Sequence, residues 1–345
     1  MHNPKVLIVA TSRKTRGGIT SVIKAHETGE QWKKFHCKWI ETHRDGNFIR
    51  KIWYVLTAFI EYMILLPFYD IIHIHVATTK SAKRKLLFIY PAKWMKKKII
   101  IHFHPSNEKF LFEPHNKQIY KNLFLQANLI LVLSKQWEKW INEALGIREN
   151  IEVLYNPCPL VSRGKYKKKK YILFAGSIIS RKGYADLIKG FSLIKSKYPD
   201  WTLIFAGNGE IAQAKKLAQQ YNIEQQTQFL GWVTTEKKER IFQEASIYCL
   251  TSYGEGFPMG VLDAWAYGIP CIVTPVGGIP DIIQNNKNGL IYPTGDVIAL
   301  SKQLDKLISD QQLREHIVEQ SDKYVNGEFN IKIICTQLES IYLKL

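Results

Sequence analysis

The chain has 345 residues, of which 46% are apolar and five are cysteine, and its formal net charge is +18. Because a domain typically has about 100 to 150 residues, this length predicts two domains. The cysteines include no Cys-x-x-Cys pair, so their spacing indicates neither a thiolate metal site nor a disulfide framework. We therefore expect a protein of a reducing, cytoplasmic compartment, without a secretory signal at its start. The cysteines are Cys37, Cys158, Cys249, Cys271 and Cys335.

The positive charge is concentrated in the first part of the chain. Residues 1–150 carry 25 Lys and Arg against 11 Asp and Glu, counted along the sequence. Such a surface can face anionic lipid, nucleic acid or an acidic substrate, or it can only keep the protein soluble. Nucleic acid is not an expected partner, because no groove-reading or base-stacking motif accompanies the charge.

Short apolar runs alternate with longer helical stretches in the first part of the chain. This alternation is typical of βα units on a parallel sheet. The apolar run Ile52–Leu66 contains Glu61, is followed by Pro67 and is shorter than the roughly 20 residues of a membrane span, so it predicts a buried or interface-lying helix. The predicted strands are 6–10, 71–76, 99–104, 129–134 and 151–155.

A linker is predicted at 156–170, where two prolines, a glycine and a lysine run interrupt the alternation. The alternation then resumes, which predicts a second doubly wound α/β domain. Ligands of such domains bind beyond the carboxyl ends of the strands, so the residues after each strand are the candidates for function. The later strands are predicted at 171–176, 201–207, 227–231, 246–252, 270–275 and 289–293.

Two loops could bind phosphate. Gly17 and Gly18 follow the first strand and lead into a helix predicted to begin near Thr20. Open backbone N–H groups there could hold an anion. The alternative is that the two glycines only form a turn. Arg181 and Lys182 follow a later strand and could neutralise a diphosphate, or form an exposed turn. Neither G-x-G-x-x-G nor a P-loop is present.

Four histidines occupy alternating positions on two predicted strands, which places each pair of rings on one face of its strand. No nearby carboxylate supports a metal site, so we favour a histidine that lines a cleft and expect no metal. The four are His73, His75, His102 and His104.

The stretch SYGEGFPMGVLDAW combines a carboxylate, glycines and a helix start. Glu255 in its loop could bind sugar hydroxyls, the backbone amides at the helix start could hold phosphate, and Asp263 could bind a ribose diol. The alternative is a surface carboxylate and a helix cap. The next segment, PCIVTPVGGIPDII, repeats the strand, glycine loop and helix with Gly277 and Gly278.

These segments resemble the retaining, GT-B-fold glycosyltransferases of the Glu-x7-Glu type, that is, glycosyltransferase family 4 or the glycosyl transferases group 1. The resemblance is strong in GSIISRKGYADLI, FAGNGE, FLGWV and the two glycine-loop segments, and weaker in RGGIT, YDIIHIH, IIIHFHP and ANLILVLS. It implies an α/β protein with two Rossmann-like doubly wound parallel-sheet domains that face a central cleft. Their expected ranges are 1–158, with a C-terminal crossover helix at 330–345, and 159–329.

The resemblance also implies the roles of individual residues. Glu255, His104 and Lys182 are the expected catalytic residues. Two positions differ from the family: its second Glu is Asp263 here, and its usual Arg is Ser177, for which Arg181 could substitute. The expected donor-binding residues are Gly17, Gly18, Ser177, Arg181, Lys182, Gly256, Phe257, Pro258, Met259 and Asp263.

The implied reaction moves a hexose or N-acetylhexosamine from a nucleotide sugar to an acceptor hydroxyl with retention, without a cofactor or metal. A UDP-sugar is favoured over a GDP-sugar as the donor. The basic first domain and the apolar run suggest an anionic membrane surface at the inner face of the plasma membrane, where a lipid-linked or polysaccharide acceptor is used in capsule, lipopolysaccharide or exopolysaccharide assembly. A non-catalytic partner subunit and a nucleotide-sugar epimerase are the alternatives.

Overall fold

A computed structural model describes residues 3–44 and 46–345, without the side chains of Phe48 and Thr235. The chain divides into two compact units, Met1–Pro157 with Ile331–Leu345 and Cys158–Asn330. The predicted domains divide at 158/159 and 329/330. Met1 and His2, which the first predicted domain includes, lie outside the described residues.

The described part of the first unit contains a six-stranded sheet in the order β2-β1-β3-β4-β5-β6, with every pair parallel. Its strands are rich in Val and Ile because helices cover both faces of a parallel sheet. The sequence analysis missed β2, which has only four residues and is charged at both ends. The strands are β1 Val6–Ala10, β2 Lys38–Glu41, β3 Ile71–Val76, β4 Lys98–Phe103, β5 Leu129–Val132 and β6 Ile151–Val153.

The last helix of the chain packs in the first unit: Leu338 and Ile341 share a core with Val6 and Ile8 of β1. The first helix begins at Gly18, two residues before the predicted Thr20, with Gly17 as its N-cap. The helices of this unit are α1 Gly18–His26, α2 Glu30–Lys34, α3 Phe48–Leu65, α4 Thr79–Trp94, α5 Lys109–Phe112, α6 Pro114–Phe124, α7 Lys135–Leu145 and α15 Ile331–Lys344.

The second unit also contains a six-stranded parallel sheet among its described residues, in the order β12-β11-β10-β7-β8-β9. The predicted linker is too long, because Lys169 and Lys170 already belong to β7. Their backbone joins the sheet, where Lys169 pairs with Ala245, while both side chains stay exposed. The strands are β7 Lys169–Ala175, β8 Thr202–Ala206, β9 Thr227–Gly231, β10 Ala245–Leu250, β11 Cys271–Val273 and β12 Leu290–Ile291.

The strand order of the second sheet reverses between β7 and β10. In an open parallel sheet such a reversal opens a crevice at the carboxyl ends of the two strands, where ligands bind. The loops after β7 and β10 are therefore the first place to look for function. The helices of this unit are α8 Tyr184–Ser192, α9 Ile211–Gln220, α10 Thr235–Glu244, α11 Met259–Ala266, α12 Ile279–Ile282, α13 Val297–Ser309 and α14 Gln311–Asn326.

Helix α3 is largely exposed despite its apolar sequence. It continues through Glu61, which pairs with Lys38 at 3.5 Å. Ala58 and Tyr62 are buried, and the Tyr62 hydroxyl donates to the Phe88 carbonyl of α4 at 2.6 Å. Among the described residues, one helical segment, Ile49–Phe68, is long and apolar enough to cross a membrane. Only 17% of its most apolar window is buried. The sequence predicted that this helix is either buried or lies at an interface, and the prediction that it is buried is wrong.

Candidate functional site

Lys182 and Glu255 meet at the reversal point of the second sheet. Lys182 ends a short 3-10 turn after β7, and Glu255 lies in the loop after β10. The Lys182 Nζ donates to Glu255 Oε1 at 2.5 Å, and the Ser252 hydroxyl donates to the same oxygen at 2.5 Å. The two charged side chains are only 18% and 7% exposed. A buried carboxylate is costly without a partner, so the two loops hold these charges against each other.

The loops after β7 and β10 are locked together through their backbones. Gly183 has a positive φ of 66°, and a Cβ there would lie 1.9 Å from the Thr251 carbonyl oxygen. The Thr251 hydroxyl donates to the Gly183 carbonyl at 2.7 Å. The Tyr253 amide donates to the Arg181 carbonyl at 2.7 Å. This close approach requires glycine at 183, and it fixes where the Lys182 side chain starts.

Arg181 and Ser177 have different surroundings. The Arg181 guanidinium donates to the Gly254 carbonyl, directly before Glu255. Ser177 is exposed on the loop that follows β7. Arg181 therefore contributes its charge to the same loop as Glu255, and its role toward a diphosphate remains a prediction.

A third loop, after β11, packs against the backbone of the Glu255 loop. The Gly278 amide donates to the Gly256 carbonyl at 2.9 Å. Gly277 has a φ of 61°, and a Cβ there would lie 2.0 Å from the Glu255 carbonyl oxygen. The repeated glycine loop of the sequence thus serves to position the first one.

Helix α11 begins directly after this loop, with Pro258 as its N-cap and Met259 as its first residue. Phe257 is buried, and its ring lies 5.9 Å from that of Phe329. This packing holds the segment Gly256–Met259 beside the Lys182–Glu255 pair. The positive end of the helix dipole at this start favours negative charge.

Asp263 of α11 forms an ion pair with a lysine of the preceding helix. Lys238 of α10 donates to both of its carboxylate oxygens, at 2.9 and 2.8 Å. Burial raises the pKa of Asp263, and Lys238 opposes that rise. The sequence analysis missed Lys238, because no local pattern links residues 25 positions apart on different helices.

The remaining predicted residues belong to the first unit. Gly17 and Gly18 are exposed at the start of α1, after β1. His104 directly follows β4 and is buried. In the first sheet the strand order reverses between β1 and β3, so the glycine loop after β1 occupies the position where such a sheet binds ligands.

The four histidines form a buried stack on β3, on β4 and directly after β4. His75 Nδ1 is hydrogen-bonded to His104 Nε2 at 2.9 Å, and His73 Nδ1 to the Tyr342 hydroxyl at 2.8 Å. His73 Nε2 lies 3.3 Å from His102 Nδ1. Burial lowers the pKa of His104 to about 3 and those of the other three well below their usual value. All four are therefore neutral at pH 7.

Nitrogen atoms of His73, His75 and His102 lie within 4.8 Å of one another, which is compatible with a metal site in distance alone. The ring planes argue against one. The rings of His73 and His75 stack 4.6 Å apart with 14° between their planes, so their lone pairs lie in separate, nearly parallel planes, which is unfavourable for binding one ion. The geometry favours a hydrogen-bonded stack.

Two parallel-sheet units of this kind define the GT-B fold, and solved structures confirm this predicted fold class. HepE of Anabaena, solved in complex with UDP-glucose, has a TM-score of 0.79 over 99% of this chain and 100% of its own, at 16% identity. At this identity the likeness shows the fold alone. The sequence match is more specific: residues 160–324 match the family model "Glycosyl transferases group 1". This match lies within the second unit and makes it similar to the glycosyl transferases group 1.

Curated relatives agree with this family. An uncharacterised glycosyltransferase of Haemophilus influenzae is 30% identical over 56% of this chain and 55% of its own length. The capsular polysaccharide biosynthesis glycosyltransferase CapM of Staphylococcus aureus is 28% identical over 49% of this chain and 44% of its own. The chain thus spans about half the length of these two relatives.

Proposed function

We propose that this protein is a retaining glycosyltransferase that transfers a hexose or N-acetylhexosamine from a nucleotide sugar to an acceptor hydroxyl in surface polysaccharide assembly. The Lys182–Glu255 pair at the reversal point of the second sheet is the observation that carries this proposal. The match of residues 160–324 to glycosyl transferases group 1 and the similarity to a capsular polysaccharide enzyme support it.

In the proposed reaction, the bond between the anomeric carbon and the diphosphate oxygen breaks, and the diphosphate leaves with the electron pair. The acceptor oxygen forms the new bond on the same face of the sugar, and its proton passes to the leaving diphosphate. Lys182 stabilises the negative charge that grows on the diphosphate, together with the backbone amides of Gly256–Met259. Arg181, Ser177, Gly17 and Gly18 are the further donor contacts.

Glu255 has a different task. When Lys182 binds the donor diphosphate instead of Glu255, the Glu255 carboxylate can accept hydrogen bonds from the sugar hydroxyls. It then holds the sugar for front-face attack. Retaining hydrolases instead use two carboxylates about 5 Å apart. Asp263 accepts hydrogen bonds from Lys238, and its proposed role is to bind the nucleotide. We therefore do not propose a double displacement with Asp263 as the second carboxylate.

His104 is the proposed contact of the first unit with the reacting sugar. Because burial lowers its pKa to about 3, it acts as a neutral hydrogen-bonding group rather than as an acid. No metal enters this scheme, since lysine and helix-start amides carry the positive charge.

A transfer assay tests the proposal. The protein is incubated with UDP- or GDP-activated hexoses and N-acetylhexosamines and with a bacterial lipid extract, and nucleotide release and labelled lipid are measured. We expect lipid-dependent transfer from one donor, a UDP-sugar, and NMR of the product shows the anomeric configuration of the donor. Turnover of the nucleotide sugar without any acceptor product supports an epimerase, and an inverted product overturns the retaining mechanism.

We also propose that the protein binds an anionic membrane through the α3–α4 surface, which consists of exposed apolar side chains on these two helices. Large exposed apolar patches mark interaction sites. Lys93, Lys96 and Lys97 flank it, and the Lys97 Nζ donates to the Pro67 carbonyl at 3.1 Å. Apolar residues beside cations suit an anionic interface. The surface comprises Ile52, Trp53, Leu56, Ile60, Ile64, Phe68, Leu87, Tyr90 and Trp94.

Vesicle sedimentation tests this membrane contact. We expect the protein to sediment with vesicles that contain phosphatidylglycerol and much less with pure phosphatidylcholine. The double variant Trp53→Ser, Trp94→Ser weakens binding by more than tenfold, because each indole buries a large apolar area. Leu193→Ser, an exposed apolar residue of the second unit, is the control and leaves binding unchanged. Equal sedimentation with both lipids contradicts the proposal.

A further inference from the structure

We propose that Lys238, together with Asp263, recognises the ribose 2′- and 3′-hydroxyls of the nucleotide, so that the lysine performs the contact expected of a longer carboxylate. This inference rests on the proposed nucleotide-sugar function. It adds a binding residue that lies outside every motif of the sequence analysis.

The lysine lies where an additional methylene would have extended the carboxylate. A Glu side chain would reach about one C–C bond, ~1.5 Å, further than Asp263. The Lys238 Nζ lies 2.9 and 2.8 Å from the two Asp263 oxygens and thus extends beyond the shorter side chain. Lysine has three N–H donors, and Asp263 accepts two of them, which leaves one for a ligand.

Exposure indicates which member of the pair a ligand meets first. The Lys238 side chain is 40% exposed, whereas that of Asp263 is 15% exposed. A ligand that approaches from solvent therefore contacts the lysine side chain before the carboxylate. Vicinal hydroxyls suit this pair, because one can accept the remaining N–H of the lysine while the other donates to the carboxylate.

The contacts of Lys238 also indicate a specific role. Its ammonium lies 5.4 Å from the Phe242 ring, which with Asp263 fixes the direction of the side chain. A solvated lysine needs neither partner. The two fixed partners fit a lysine that holds one orientation for a ligand.

The test compares UDP with 2′-deoxy-UDP, and GDP with 2′-deoxy-GDP, by titration calorimetry. We expect the wild-type protein to bind the ribonucleotide of one pair about tenfold or more tightly than its deoxy form, since a hydrogen bond to a charged group contributes that much. Lys238→Met reduces this ratio to within about threefold. Lys237→Met, the exposed neighbour on the same helix, keeps the wild-type ratio and is the matched control.

Two double variants separate binding from folding. Lys238→Met with Asp263→Asn removes both charges, so its folding does not depend on the pair, and it also loses the ribose preference. Lys238→Met with Asp263→Glu restores the preference, because the longer carboxylate reaches the diol. A wild-type ratio in Lys238→Met overturns the inference while the proposed function stands. A wild-type protein that binds none of the four nucleotides overturns both.

Discussion

Replacing Glu255 with glutamine lowers the kcat for sugar transfer by about 10²- to 10³-fold, the loss typical of removing one preorganised electrostatic contact to the reacting group. Glutamine keeps the shape of the side chain and can still accept the hydrogen bond from Ser252. It removes the negative charge that faces Lys182 and the sugar. The rate is measured as nucleotide release from the donor that supports transfer.

Glu224→Gln is the control for this loss, because Glu224 is an exposed carboxylate of the same unit. It should leave kcat unchanged. Thermal unfolding of both variants shows whether Glu255→Gln is still folded. If Glu255→Gln retains more than half of the wild-type kcat, Glu255 does not contact the reacting sugar.

Gly277→Ala should weaken donor binding at least about 10²-fold, although residue 277 is not a proposed donor contact. The new Cβ would lie 2.0 Å from the Glu255 carbonyl oxygen and 2.9 Å from that of Gly256, so the Glu255 loop has to move. The φ of 61° adds strain for alanine. A misplacement of about 1 Å at such a site can cost 10²-fold in activity. We expect a loss of at least that size, together with a stability decrease of about 1–3 kcal/mol.

Gly164→Ala separates backbone strain from the steric clash. Gly164 belongs to the same unit and has a φ of 89°, but a Cβ there meets nothing within 4 Å. This control should lose some stability and keep donor binding. If Gly277→Ala binds the donor as well as Gly164→Ala does, the third loop does not position Glu255. Calorimetric titration of both variants with the donor nucleotide decides between these outcomes.

The strands of both units could be predicted because buried parallel strands are almost continuously apolar. Val6–Ala10, Ile71–Val76 and Thr227–Gly231 have the predicted bounds. β2 was missed because Trp39 and Ile40 alone give too short an apolar run. The lysines at 169 and 170 look like a solvated linker in sequence, since their exposed side chains hide the pairing of their backbone.

The candidate site was predictable where its residues follow strands. Lys182 and Glu255 were both selected in this way, and the strand order brings them together although they are 73 positions apart. The Lys238–Asp263 pair was not predictable, because two helices that follow different strands create it. The exposure of α3 was not predictable from the sequence either. A helix that is apolar on most sides is expected to be buried, whereas in the structure only one narrow face of α3 packs against α4.

Titration of the wild-type protein with UDP, beside Lys182→Met and Lys216→Met, tests the central claim most directly. Lys216 is an exposed lysine on α9 and is the matched control. The account predicts that the wild-type protein and Lys216→Met bind UDP equally well and that Lys182→Met binds it about ten- to a hundredfold more weakly, because a charge-assisted contact to the diphosphate is lost. Equal UDP affinity in all three proteins would contradict the placement of the diphosphate beside Lys182.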